Sequence, residues 1–116
     1  VTRKYFNQPT EYNGIRFDSK KEAARYADLL LLERAGEIAD LVLQPRFALI
    51  INGTPVRIRS KKRPKGTACR YTADFQYTDL RNGNTVVEDT KGRDTDASRL
   101  RRAVVECIYG IEIQII

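Results

Sequence analysis

The chain has 116 residues, 41% hydrophobic and 31% charged, which suits one folded domain over 1–116 with a single core. It contains no histidine, which excludes Ser-His-Asp and Cys-His chemistry and leaves a carboxylate, Lys, Tyr or metal-activated water as any general base. The net charge is +6, no apolar run reaches the length of a membrane span, and Val1–Phe6 lack a signal-peptide core, so a membrane partner is not expected.

Residues 1–12 are polar, and Asn13-Gly14 is a turn signal before the alternating Ile15-Arg16-Phe17, so an N-terminal arm or hairpin over 1–17 is predicted. Ser19 with Glu22 three residues on makes a capping box, and Ala23, Ala24, Ala27, Leu30 and Leu31 carry a helix to Gly36. Its broad apolar stripe suits packing on a sheet. Leu41 to Ile51 is an apolar run in which Pro45 implies an edge or bulge. After Asn52-Gly53, Val56 to Arg59 alternates as a strand; 60–67, with Pro64 and Gly66, reads as a basic loop. Ala68 to Tyr77 reads as one further strand, paired through an Asn82-Gly83 turn with the strand that ends at Asp89. Asp94, Thr95 or Asp96 can cap a second helix with Leu100, Val104, Cys107 and Ile108 as its buried stripe, stopped by Gly110. Ile111 to Ile115 alternates as a last strand. The order predicts an α/β domain, a mixed central sheet flanked by helices.

Cys69 and Cys107 lie far apart and are too few for a zinc site or a disulfide framework; they read as small hydrophobes in a reducing cytoplasm. Charge is unevenly placed. Arg57, Arg59, Lys61, Lys62, Arg63, Lys65 and Arg70 form a segment with no acidic residue, so it carries +7 and the rest of the chain sums to −1. Such a segment favours a phosphate backbone as partner. The alternative is a solvated loop with no ligand.

The chemistry centres on Val86-Val87-Glu88-Asp89-Thr90-Lys91-Gly92. Strand alternation puts Val87, Asp89 and Lys91 on one face and turns Glu88 away, as a solvated residue. An acid and a lysine two apart at the end of an apolar strand are costly to bury without a purpose. Asp74, on the partner strand, shares a side with Thr72 and Gln76, opposite to Ala73 and Phe75. Two carboxylates on neighbouring strands suit an oxygen-ligated Mg²⁺, and Glu22 in the first helical turn can add a third.

Glu22, then Asp74, then Asp89-Thr90-Lys91 resembles the PD-(D/E)xK nuclease superfamily, with Ala73 at the position of the proline. The stretches Gly14 to Ala23, Tyr71 to Phe75 and Val87 to Gly92 most resemble a small phage-encoded, resolvase-like branch. The resemblance implies a restriction-endonuclease-like αβββαβ core and a metal-dependent endonuclease that leaves 5′-phosphates. It implies that Asp74, Asp89 and the Thr90 carbonyl hold Mg²⁺ (or Mn²⁺). Glu22 would hold a second ion or reach the first through water, and Lys91 would orient the attacking water. Branched or junction DNA, a homodimer making paired cuts, phage or host recombination proteins as further partners, and the host cytoplasm follow as expectations. Each residue also has a purely structural reading: Glu22 as a capping glutamate, Asp89 with Lys91 as a surface pair, Asp74 as an exposed hairpin residue, and Arg99, Arg101 and Arg102 as a solvated helix face. The rival functions are a non-catalytic nucleic-acid-binding module and a nuclease subunit of a larger recombination or transposition complex.

Overall fold

The computed structural model describes residues 9–90 and 93–116. Residues 1–8 of the predicted 1–17 arm and the Lys91-Gly92 pair lie outside those residues. Asn13 and Gly14, both at positive φ, close the first hairpin, β1 (Thr10–Tyr12) with β2 (Ile15–Phe17). This is the left-handed conformation that an Asn-Gly turn supplies at low cost. Helix α1 (Lys20–Arg34) starts at Ser19, whose Oγ accepts from the Glu22 N–H at 3.1 Å. Strand β3 (Ile38–Leu43) follows, then a run of short strands: β4 (Arg46–Ala48), β5 (Ile50–Ile51), β6 (Thr54–Pro55), β7 (Arg57–Ile58), β8 (Thr67–Ala68) and β9 (Arg70–Thr72). The hairpin β10 (Phe75–Asp79) and β11 (Asn84–Asp89) leads to α2 (Asp96–Tyr109) and β12 (Ile113–Ile115).

The central sheet has the order β12-β11-β10-β3, with β12 parallel to β11 and the other pairs antiparallel. It is a mixed sheet in an α/β chain. Its two faces are buried by different helices. On one face Tyr26 and Leu29 of α1 pack with Phe75, Tyr77, Ile38 and Phe17. On the other, Val105 of α2 packs with Val87, Ile113 and Tyr71. Val86 and Val87 go to opposite cores, as strand alternation requires.

The interruption expected at Pro45 is present, and the single strand read over Ala68 to Tyr77 is broken as well. Leu41 to Ile51 belongs to three sheets, because Gln44 takes φ 51 and Pro45 cannot donate to a ladder; its carbonyl accepts from Ala73 N instead. Ala68 to Tyr77 bends at Asp74. Ala73 therefore packs in the α2 core and Phe75 in the α1 core, although they are two residues apart and were expected on one face. The bend is held by main-chain bonds, Asp74 N–H to the Glu88 carbonyl at 3.1 Å and Gln44 N–H to the Asp74 carbonyl at 2.8 Å. The basic loop 60–67 is likewise more ordered than expected, since β7 and β8 pair across it as a ribbon.

Helix α2 is capped by Thr95, whose Oγ1 accepts from Ser98 N at 3.1 Å, and ends at Gly110 with φ 64. Its buried stripe keeps only Val104 and Ile108 of the four predicted residues. Leu100 is 67% exposed and Cys107 is exposed, whereas Val105 is fully buried and Val104 and Ile108 are half-buried. The helix is rotated because its inner face also has to seat Ser98 and Arg102. Val105→Ala is expected to cost about 2 kcal/mol through lost transfer energy and a cavity. Leu100→Ala should stay within about 0.5 kcal/mol. Urea unfolding of both variants checks the rotated stripe.

Candidate functional site

Three acids from distant segments come near one another at one end of the central sheet, close enough for Asp74 and Asp89 to act on the Glu22 carboxyl. Glu22 comes from the first turn of α1, Asp74 from the bend before β10, and Asp89 from the last position of β11. Each is held by its own neighbours. Asp74 Oδ2 accepts two hydrogen bonds from Thr90, from N–H at 2.7 Å and from Oγ1 at 2.6 Å. Asp89, buried, accepts from the Tyr71 hydroxyl through Oδ2. Tyr71 is in turn a neighbour of Arg102, which forms a two-bond pair with Asp94 at 3.1 and 2.7 Å.

Glu22 is the electrostatic centre of the group. Its residue is only 4% exposed. Burial first, then the nearby carboxylates of Asp74, Asp18 and Asp89, push its carboxyl from 4.5 up to about 8. Rather than completing a capping box with Ser19, the side chain lies against Asp74. Beside it opens a cleft of 250 Å³ lined by Glu22, Asp74, Arg16, Gln44 and the apolar Ile15, Phe17 and Leu43. Among the described residues no three ligating side chains converge closely enough to enclose an ion by themselves. Lys91 lies outside the described residues.

The seven cations of the basic segment are all exposed, on and around the β7–β8 ribbon. Among the described residues none of them pairs with an acid. The ribbon connects to the acidic group through β9, where Arg70 adjoins the Tyr71 that holds Asp89.

A family model described as "Protein of unknown function (DUF1064)" matches residues 2–114. The chain belongs to the DUF1064 family. No curated protein and no solved structure matches it.

One expectation for this DUF1064 chain is reversed. Glu88 does point away from Asp89, yet it is 2% exposed rather than solvated. It faces α1, where Arg25 donates to it through Nε at 2.7 Å and Nη2 at 2.6 Å, and Tyr77 donates its hydroxyl at 2.5 Å. Glu88 pushes the Tyr77 hydroxyl, already raised by burial, up to about 12. The solvated-face reading of Arg102 also fails, because that side chain is mostly buried against Asp94, while Arg99 and Arg101 are exposed. Arg25 was overlooked in the sequence, although Glu22, Arg25, Tyr26 and Leu29 share one helical stripe by spacing. Tyr71 and Tyr77 share the two-residue spacing of the apolar Ala73 and Phe75, a pattern that buries hydroxyls in need of acceptors.

Two outcomes follow from this geometry. Arg25→Ala strands a buried carboxylate and should cost about 3 kcal/mol in denaturant unfolding, with part recovered in the double variant carrying Glu88→Gln. For Glu22 the folded chain retains a proton that the unfolded chain gives up. The stability from that retention is complete below about pH 4.5 and is lost as pH rises through about 8. Glu22→Gln should therefore melt near the wild type at about pH 4.5 and above it at about pH 9, as a thermal scan in the absence of divalent metal would show.

Proposed function

We propose that this chain is a Mg²⁺-dependent endodeoxyribonuclease that cuts branched or junction DNA. The observation that carries the reading is the meeting of Glu22, Asp74 and Asp89, from three separate segments, around one buried carboxyl. Like charges are costly to gather in this way unless a cation or a proton offsets them. The order α1, β3, β10, β11, α2, β12, with a parallel last strand, supports a restriction-endonuclease-like αβββαβ core. The strands β4 to β9 would then be an insertion that carries the DNA-binding ribbon.

The available donors are all oxygens, which fits a hard cation such as Mg²⁺ or Mn²⁺. Asp74, Asp89, the Thr90 carbonyl and Glu22 would hold it. Mg²⁺ keeps several waters and takes one or two carboxylates, so an incomplete protein shell is consistent with it. When bound, such an ion neutralises charge on a phosphate under attack and lowers the pKa of water. Thr90 and Tyr71 fix the orientations of Asp74 and Asp89. Glu22 holds a proton on its carboxyl up to about pH 8 and releases it above. Lys91, by the sequence motif alone, would orient the attacking water. Arg57, Arg59, Lys61, Lys62, Arg63, Lys65 and Arg70 would grip the DNA backbone. Among the described residues no helix is long and apolar enough to cross a membrane. Activity as a homodimer in the host cytoplasm, within phage recombination, replication or packaging, completes the reading.

Incubation with junction, single-stranded and duplex DNA, with Mg²⁺, Mn²⁺ or EDTA, tests it. Metal-dependent cutting should fall by about 10²-fold or more in Asp74→Asn, Asp89→Asn and Lys91→Ala. Cutting that survives in those variants would sink the site. Binding with no cutting under any metal would favour the non-catalytic module, and cutting only after host or phage proteins are added would make the chain a subunit of a larger nuclease.

A further inference from the structure

The β7–β8 ribbon carries one residue that a purely cationic grip does not need. Ile58 lies between Arg57 and Arg59 and is 64% exposed. Pairing sets the faces: Ile58 is opposite Thr67, and Arg57 is opposite Ala68. Opposed residues share a face and successive residues alternate. Val56 and Cys69, two residues further in on each strand, are therefore on the face of Ile58, and both pack against the second core. Ile58 extends that apolar row past the edge of the core, where folding makes no use of it.

The ribbon's tip is pre-formed. Ser60 and Arg63 exchange main-chain hydrogen bonds at 3.1 Å, and Gly66 N donates to the Arg63 carbonyl at 2.9 Å. Gly66 has φ +82, and a Cβ there would stand 2.9 Å from Arg57 Cβ and Arg59 Cγ, so the two arginine stems lie across its backbone. Arg63 Nη1 donates to Thr67 Oγ1 at 3.2 Å, which brings that guanidinium to the side of Ile58.

We propose that this ribbon enters the major groove of duplex DNA, with Ile58 against thymine 5-methyl groups and the surrounding cations on the flanking phosphates. This rests on the reading that the chain binds DNA. The major groove, about 12 Å wide, admits a two-stranded ribbon, whereas the minor groove of about 6 Å does not without deformation. The thymine methyl is the apolar group on that floor. A single strand would be held by stacking on aromatic rings, and residues 57–70 contain none. A second copy of the ribbon is disfavoured by its own charge, seven cations with no acid. In the proposed reaction the ribbon holds one duplex arm of the substrate.

The test is a binding titration of the whole chain in EDTA, so that cutting plays no part. The probes are an A·T-rich duplex and the same duplex with uracil for thymine. The wild type should bind the thymine duplex about fourfold more tightly per contacted methyl. Ile58→Ala should abolish that difference and keep the salt dependence, with Ile58→Val retaining most of it and circular dichroism matched throughout. Neutralising Lys61, Lys62 and Arg63 together should weaken both duplexes alike and flatten the salt slope by roughly two to three. Equal affinity for the two duplexes in the wild type, or a thymine preference that persists in Ile58→Ala, overturns the proposal while leaving DNA binding in place. Self-association lost in Ile58→Ala would assign the residue to a second copy and also overturn it. Failure to bind either duplex removes the DNA reading together with the ribbon's role.

Discussion

The two-bonded ion pair between Arg25 and Glu88 joins α1 to the middle of the central sheet. Arg25 lies one helical turn beyond Glu22, and Glu88 is the residue before Asp89. The pair therefore sets the distance between the helix that supplies one acid and the strand that supplies another. A charge as buried as Glu88 cannot be left unpaired without a large penalty, so helix and strand have little freedom to separate. Tyr77 takes part of the remaining acceptor capacity of Glu88 and closes the network on the same face.

The opposite face follows the same logic with different parts. Asp89 is seated by Tyr71, and Arg102 bridges from α2 between Tyr71 and Asp94. Adjacent residues of β11 thus anchor the two helices on opposite faces, Glu88 to α1 and Asp89 towards α2. The acidic group lies where the two anchors and the Asp74 bend come together. Its charge balance differs from that of the ribbon, which gathers cations with no acid among them. Two connected parts of one small chain thus carry opposite potentials, the feature on which the proposed grip of a polyanion rests.

How much was legible depended on how local the cause was. The Asn13-Gly14 and Asn82-Gly83 turns, the Ser19 cap, the Gly110 stop and the alternation of Val87, Glu88 and Asp89 rest on interactions within a few residues, and they hold in the structure. The break at Pro45 was legible, but the bend at Asp74 and the bonds that hold both were not. Gln44 and Asp74 bend where two segments cross, and their bonds reach residues 14 or more positions away. The rotation of α2 was hidden for a related reason: an apolar spacing names a face only until polar residues such as Ser98 and Arg102 find partners inside.

The sequence by itself determined the two helices, the turns, the charge of the ribbon and the faces of Glu88 and Asp89, because cap chemistry, turn chemistry and strand alternation act locally. Only the tertiary structure decided that Glu22, Asp74 and Asp89 lie together and that Glu88 is buried rather than solvated. Both depend on which segments the packing of α1 against the sheet brings side by side, and on a buried charge finding its partner 63 residues away.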